Sequence, residues 1–460
     1  MKTILMFPAP KSLETSKSFF LKAHLWWAFK KMIVIMGTTE KRDTKRPFSD
    51  LCDKMGKKNL DFHMTRICIL GGGFGGLYTA LNLSRLPWAV MPEIILIDKS
   101  DRFLFTPFLY ELVTGEMKEW EIAPTFAELL ADTGIQFVQG LITNIDFESK
   151  QVEVNIGQRT ILAYDRLVLA IGGETPMNIV DGALEYAIPF RNLNDFYRLN
   201  SKLELLEAST RDKIRVCIAG GGSSGVELAC KIADRLKDRG RVRLVDRNDK
   251  ILSNSTDANR QIAELALSKR GVWTDLNTRV SQVNDGEVTL DYSDGSDTLP
   301  VDIILWTVGS TFSKMLQSLP VEHGRQGAIA TETTLQVKGY SDVFAIGDLA
   351  SCFDSNSSLL PATAQVAFQQ SQYCAWNVWA SLNQKALVPF SYIPLGEFIS
   401  LGIDGATASI FGKFSIDGLP AHVMRRLAYL LRMPTTQHQW KLGTHWLTKP
   451  LIEMFRKSVK

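Results

Sequence analysis

Two glycine-rich turns of the form G-x-G-x-x-G, each set directly after a run of strand-forming residues, constrain this chain more than any other feature. The first follows Ile67-Cys68-Ile69-Leu70 and reads Gly71-Gly72-Gly73-Phe74-Gly75-Gly76; the second follows Val216-Cys217-Ile218-Ala219 and reads Gly220-Gly221-Gly222-Ser223-Ser224-Gly225. A strand that turns through bare glycines into a helix presents backbone N–H groups at the helix start. The helix dipole there favours the negative charge of a pyrophosphate. An acidic residue closes the next strand in each case, Asp98 after Glu93–Ile97 and Asp246 after Val242–Val245. A carboxylate about 20 residues beyond the glycines is placed to take ribose hydroxyls. One such turn is weak evidence, because helix–strand packing also selects glycine. Two complete units in the same order predict an α/β fold with two Rossmann-like, dinucleotide-binding domains.

At 460 residues the chain exceeds the size at which one hydrophobic core normally stops growing. From Thr65 strands alternate with helical stretches, as parallel sheets require. Short meander-like strands are expected at 140–147 and 151–156. A buried strand, Leu167-Val168-Leu169-Ala170-Ile171, ends in Gly172-Gly173, and a similar one, Ile303 to Val308, ends in Gly309. The chain then returns through Val343-Phe344-Ala345-Ile346-Gly347-Asp348. This order predicts that the second nucleotide domain is inserted in the first. The expected divisions are an extension at 1–63, a first part of the flavin domain at 64–190, the nicotinamide domain at 191–310, the rest of the flavin domain at 311–385, and a C-terminal membrane-associating region at 386–460.

Charge is distributed unevenly. Of 52 basic and 49 acidic side chains, residues 1–64 hold 13 and 6, residues 421–460 hold 8 and 1, and the middle keeps 31 and 42. Nucleic acid is a poor partner for such a chain, since neither basic end carries a binding motif. Basic side chains beside an anionic membrane each gain roughly 1 kcal/mol, so a peripheral membrane surface fits better. In the tail, Leu419, Val423, Met424, Leu427, Leu430 and Leu431 follow helical spacing, with Arg425, Arg426 and Arg432 on or beside the other face. A helix lying in the interface would bury the apolar residues and leave the arginines at the phosphates; the alternatives are packing on the protein body or on a second copy. No uncharged apolar run reaches about 18 residues, so no spanning helix is predicted. Phe19 to Met36, broken by Lys22, Lys30 and Lys31, reads as a presequence or interfacial segment, and Met64 as an alternative start. The six cysteines show neither C-x-x-C nor metal-ligand spacing, so no disulfide framework and no metal site is expected.

Several motifs together resemble the type II NAD(P)H:quinone dehydrogenases, flavoproteins of the two-dinucleotide class. They are the two glycine turns, the Leu167–Gly173 strand, Ala345-Ile346-Gly347-Asp348, Arg102-Phe103-Leu104-Phe105-Thr106-Pro107-Phe108-Leu109-Tyr110, and Ala364-Gln365-Val366-Ala367-Phe368-Gln369. Trp120–Pro124 and Thr133–Phe137 look closest to the C-type branch of cyanobacteria and plant plastids, which is linked to reduction of demethylphylloquinone, related naphthoquinones and plastoquinone. Phe103 departs from the pattern, standing where many relatives have histidine.

The resemblance implies FAD on Gly71, Gly73, Phe74, Gly75, Gly76 and Asp98, with Gly172, Gly347 and Asp348 completing its site. NADH or NADPH would lie on Gly220, Gly222, Gly225 and Asp246, beside Gly309. Asp246 disfavours a 2′-phosphate, whereas Arg247 could reach one. Glu227 would orient the nicotinamide. Gln365 and Gln369, four apart on one helix face, would hydrogen-bond a membrane quinone, with Phe368, Trp376 and Trp379 along an apolar access route. The implied activity is two-electron quinone reduction without proton pumping, on the cytoplasmic or stromal face of a cyanobacterial or plastid-type membrane. A homodimer is compatible with it. The nearest rival is a sulfide:quinone oxidoreductase, for which Cys352 lacks a well-placed partner in the sequence. A flavin-binding protein with incidental reductase activity is the other.

Overall fold

The computed structural model describes residues 64–353, 359–412 and 414–458, with side chains up to 449. The expectations for residues 1–63 lie outside them. Residues from Met64 onward form a unit of their own.

The chain begins with β1 (Arg66–Leu70), α1 (Phe74–Leu83), β2 (Glu93–Asp98) and β3 (Gln136–Gln139). A meander, β4 (Leu141–Asp146), β5 (Gln151–Asn155) and β6 (Arg159–Ala163), leads into β7 (Arg166–Leu169). Then come β8 (Ala187–Pro189), α2 (Leu193–Ala208), β9 (Ile214–Ala219), α3 (Ser223–Leu236), β10 (Gly240–Val245), α4 (Asp257–Lys269) and β11 (Trp273–Asp275). A second meander, β12 (Arg279–Asn284), β13 (Glu287–Asp291) and β14 (Ser296–Pro300), leads into β15 (Ile303–Trp306). Short strands β16 (Ile329–Ala330), β17 (Val343–Ala345) and β18 (Ala350–Ser351) precede α5 (Ala364–Leu382). The chain closes with β19 (Gly396–Ser400), β20 (Ala406–Ile410), β21 (Phe414–Asp417), α6 (Gly418–Leu430) and α7 (Thr436–Ser458).

Two five-stranded sheets carry the architecture, in the orders β17-β7-β1-β2-β3 and β11-β10-β9-β15-β8, with every pairing parallel. Their central strands are buried on both faces, which is why they read as continuous apolar runs rather than alternating ones. Each buried Ile, Leu or Val contributes roughly 1.5–3 kcal/mol by leaving water. Because β17 completes the first sheet after the whole second sheet has been made, the second domain is an insertion. One boundary shifts: β8 at 187–189 already pairs with β15, so the second sheet starts before the expected division at 190.

The two halves repeat each other. β1 lies between the acid-ended β2 and the glycine-followed β7, with Leu70 opposite both Ile97 and Leu169. β9 lies between β10 and β15, with Ala219 opposite Val245 and Trp306. A three-stranded meander precedes the third strand in both. In an open parallel sheet, ligands bind beyond the carboxyl ends of strands where the winding reverses. That point is beside Gly71 in one sheet and beside Gly220 in the other.

Candidate active site

Each glycine of the first turn has a separate physical reason. Gly71 holds φ +99, and a Cβ there would come within 2.4 Å of the Ala170 carbonyl oxygen. Gly76 packs so closely under the turn that its Cβ would lie 1.8 Å from the Gly71 oxygen. Gly73, at the start of α1, would meet nothing within 4 Å, so the space in front of the helix is open to an approaching group. The second turn repeats these values: Gly220 at φ +110, Gly225 with a Cβ 1.8 Å from the Gly220 oxygen, and Gly222 facing open space. Both cradles therefore fit a pyrophosphate at a helix N-terminus.

The acidic partners are equally matched. Asp98 accepts from the Gly72 N–H at 2.6 Å and the Ser100 N–H at 2.7 Å. Asp246 accepts from the N–H groups of Gly221 and Asn248, the latter at 2.7 Å. Burial raises the Asp98 carboxyl above its usual range, against the pull of the Gly72 and Ser100 N–H groups. Each carboxylate keeps free lone pairs for ribose hydroxyls.

Around the first cradle the structure brings together the other expected flavin contacts. Ile346 donates to the Leu169 carbonyl at 3.0 Å, and its side chain would lie 3.1 Å from a Cβ on Gly75. Gly172 and Gly347 have φ +74 and +77, and the Gly347 N–H is held by the Gln370 amide oxygen at 2.7 Å. Asp348 is paired with Arg191 at 2.9 Å. Gly309, at φ +79, lies against Pro176 where the chain crosses between domains, and Glu174 and Thr311 bond there in both directions. Phe74 packs on Phe103, Phe105 and Tyr78, so Phe103 fills apolar space beside the first helix.

Gln365 and Gln369 share a face of α5 as expected, but their amides are already engaged. Gln365 donates to the Gly396 carbonyl at 3.0 Å and accepts from the Leu395 N–H and the Tyr392 hydroxyl. Gln369 exchanges two hydrogen bonds with the Ile393 backbone, at 2.8 and 3.1 Å. Both amides fasten segment 392–396 to the helix, and each Nε2 keeps a second N–H beyond the bond it donates there. Seven residues beyond Ile393, the Ser400 N–H of β19 donates to Glu227 at 2.7 Å. One short segment thus joins Gln365 and Gln369 of α5 to Glu227 of α3. Phe368 packs on Tyr78, and Trp376 on Trp379, at ring separations of 4.8 and 4.9 Å.

Sequence reasoning missed the charges behind Glu227. Glu111, fully buried, is paired with Arg425 of α6 and lies 3.9 Å from Lys231 of α3. Arg425 also lies 3.9 Å from Glu227 and against the rings of Phe108 and Tyr429. Burial alone would raise the Glu111 carboxyl, but Arg425 and Lys231 together hold it below its usual range. Glu227 goes the other way: burial pushes it up to about 7, opposed by Arg425 and the Ser400 N–H and reinforced by Glu111. A carboxyl that titrates near neutrality beside a cofactor site is suited to holding or passing a proton. A signal for the hidden partners does exist in the sequence, since Glu111, Lys231 and Arg425 each interrupt an otherwise apolar stretch.

The C-terminal helices reverse one expectation. Arg425 points into the protein, 1% exposed, and Arg432 lies over the Phe368 ring, so neither is left outside at a phosphate layer. The residues that face outward are Leu419, Val423, Leu427 and Leu431, at successive steps of four and 41–59% exposed, with Trp440 and Leu447 beyond them. The inner side of α7 docks through Leu442, through His438 on the Glu121 carbonyl at 3.0 Å, and through Trp446 on the Glu121 carboxylate at 2.9 Å. Packing on the protein body therefore holds for one face of the tail. Among the described residues no helix is long and apolar enough to cross a membrane.

Fold and site define a two-dinucleotide flavoprotein reductase: two equivalent nucleotide cradles, the second inserted in the first. The profile of the pyridine nucleotide-disulphide oxidoreductase family matches residues 65–371, and the chain belongs to that family. It is 50% identical to the demethylphylloquinone reductase of Synechocystis sp. over 85% of this chain and 98% of that protein. It is 39% identical to an alternative NAD(P)H-ubiquinone oxidoreductase C1, chloroplastic/mitochondrial, of Arabidopsis thaliana, over 84% and 81%. By fold it resembles the NDH2 structure from Plasmodium falciparum in complex with NADH, with TM-score 0.74 at 16% identity, covering 84% of this chain and 98% of that one.

Proposed function

We infer that the chain is a type II NAD(P)H:quinone oxidoreductase, with FAD in the first cradle and NADH or NADPH in the second, reducing a membrane naphthoquinone such as demethylphylloquinone. Its 50% identical relative is named for that activity. FAD, when bound, supplies the two-electron chemistry, taking hydride from the nicotinamide and returning electrons to the quinone. This chain's residues place the partners and handle protons. Gly71, Gly73, Gly76 and Asp98 fix the flavin nucleotide, and Gly220, Gly222, Gly225 and Asp246 fix the donor. Glu227 holds a proton at its carboxyl between the donor helix and β19. Gln365 and Gln369 act as positioning residues for the wall at 392–396, against which the quinone would lie.

The observation that carries the reading is the complete second cradle, which gives a nicotinamide donor a place that a sulfide-driven enzyme does not need. Burial also pushes the thiols of Cys68, Cys217 and Cys230 up to about 12, leaving them poor nucleophiles. The outward stripe of Leu419, Val423, Leu427 and Leu431 supports peripheral attachment to a membrane on its cytoplasmic or stromal side, with a second copy of the chain as the competing occupant. Anaerobic stopped-flow on the FAD-loaded protein tests the function. NADH or NADPH should bleach the flavin and a naphthoquinone should restore its colour. Bleaching by sulfide, and by neither nucleotide, would overturn the reading.

A further inference from the structure

A second cluster of ligating side chains lies at the far end of the buried charges. Glu116, Asp404 and His422 come from three separate segments: the turn after residues 106–112, the β19–β20 turn, and α6. One ligating atom from each lies within 4.8 Å of the other two. Two features distinguish the group from an ordinary acidic patch. His422 is only 3% exposed, and among the described residues neither its Nδ1 nor the buried Glu116 Oε1 has a hydrogen-bond partner. Asp404, by contrast, is largely open to water and gives the cluster an entrance.

The donor chemistry is that of a nitrogen–oxygen site. An imidazole offers a nitrogen lone pair in its neutral form. Metal binding requires such a deprotonated nitrogen. Lys231 pairs with the other oxygen of Glu116, which orients the carboxylate while leaving Oε1 turned to the cluster. The opposing charge is Arg426, whose Nη2 stands 3.8 Å from that same Oε1, beyond hydrogen-bond reach, with its guanidinium over Trp446. Asp404 lies 3.8 Å from the His422 Nε2.

From this geometry we propose that Glu116, Asp404 and His422 form a binding site for a divalent transition cation of the zinc class. Bonds of about 2.0–2.2 Å to imidazole nitrogen and carboxylate oxygen place the ligand atoms of a tetrahedral ion about 3.3 Å apart. Rotation of the exposed Asp404 side chain would bring its carboxylate toward that spacing, and a water would take the fourth position. The ion would tie α6 to the protein body and shift the balance of charge behind Lys231 and Glu111. Lys231 and Arg426 limit the affinity, which belongs in the micromolar range rather than that of a closed four-ligand site.

The test is zinc binding to the full-length, FAD-loaded protein in competition with a chromogenic chelator. One Zn2+ per chain is expected. Asp404→Asn, at an exposed position that leaves the fold alone, should weaken binding at least tenfold, and His422→Gln should weaken it further. Arg426→Gln should tighten it several-fold by removing the competing cation. Saturating zinc should also raise the unfolding temperature of the wild type and not that of Asp404→Asn, because a ligand bound only to the folded state stabilises it by mass action. Absence of saturable binding overturns the proposal, as does equal binding by the wild type and Asp404→Asn.

Discussion

Arg425 and Glu111, 314 residues apart in sequence, meet as an ion pair in the protein interior, both essentially without solvent exposure. Through this pair the C-terminal helix α6 is tied to the segment that follows the flavin domain's second strand, and Arg425 extends from it to within 3.9 Å of Glu227. Desolvating two charges is expensive, so such a pair is tolerated only where hydrogen bonds complete it. Arg425 also donates to the Pro107 carbonyl at 2.5 Å, whereas the Glu111 Oε2 and the Arg425 Nε have no hydrogen-bond partner among the described residues, so the pair is only partly completed.

Breaking this pair on one side leaves the other charge buried and alone. Arg425→Ala or Glu111→Ala is expected to destabilise the protein by about 3–5 kcal/mol. Each should also lower the rate of flavin reduction by loosening Glu227. Denaturant unfolding of the FAD-loaded protein measures the first effect. The double variant Arg425→Met, Glu111→Leu should recover much of the stability but not the rate. Losses in the double variant equal to the sum of the single ones would show that the two charges do not act as a pair.

Glu227 makes the protein's stability pH-dependent in a definite direction. Its folded value of about 7 lies above the ordinary 4.5, so between these the folded state keeps a proton that the unfolded chain releases. The stabilisation is complete below about 4.5 and is lost as pH rises through about 7. It amounts to something on the order of 3 kcal/mol at about 1.36 kcal/mol per unit. Glu111, held low, is already ionised throughout that window. The fall in stability from about pH 5 to 8 should therefore be shallower in Glu227→Gln. The ionisation near neutrality should also vanish from that variant's rate of flavin bleaching by NADH. A parallel profile in both proteins would remove Glu227 from the proton path.

The equivalence of the two cradles gives a paired test. A methyl group at residue 76 or 225 would collide with a backbone oxygen at 1.8 Å, and neither position can yield without opening its turn. Gly76→Ala should purify without flavin and be colourless. Gly225→Ala should purify yellow, yet NADH should bleach it at least a hundredfold more slowly. If both variants lost flavin alike, the assignment of one nucleotide to each turn would be wrong.

How much of this is legible in the sequence follows from how local the physics is. The glycine turns, the acidic strand ends and the inserted topology are short-range patterns, and each appears where the residues place it. Spacing puts Gln365 and Gln369 on the right helix face, but their partners, Tyr392 to Gly396, are fixed by a loop return that no periodicity encodes. The polarity of α6 comes out inverted for a related reason. Helical spacing separates Leu419, Val423 and Leu427 from Arg425 without saying which side faces the core. A buried counter-charge, Glu111, decides it, and that residue is supplied by a distant segment.

Asp246 is the residue expected to set the donor preference, and its two oxygens are already oriented by the N–H groups of Gly221 and Asn248. A 2′-phosphate would meet this carboxylate, while Arg247 beside it is exposed. NADH should accordingly be the better donor. Asp246→Ala should lose NADH efficiency and gain NADPH efficiency, shifting the ratio of kcat/KM values roughly tenfold to a hundredfold, or about 1.4–2.8 kcal/mol. Steady-state assays with a soluble quinone and each nucleotide measure this. A ratio unmoved by the substitution would place discrimination on Arg247 or beyond it.

The outward apolar stripe of α6 gives the last test. Leu419, Val423, Leu427 and Leu431 are each 41–59% exposed, and the proposed membrane attachment rests on the burial of this stripe at the interface. Leu419 and Leu427 are the most exposed of the four, each more than half open to solvent, and are the pair to change. Replacing both by Glu should abolish co-flotation with vesicles containing anionic lipid. Flavin bleaching by NADH in solution should be unchanged, because neither side chain supports the buried charges around Arg425. Turnover with a long-tailed quinone embedded in the vesicles should fall at least tenfold, while turnover with a short, soluble quinone should not. If the double variant instead remained on vesicles but changed from dimer to monomer, the stripe would be a subunit interface, and the membrane would have to be met by another surface.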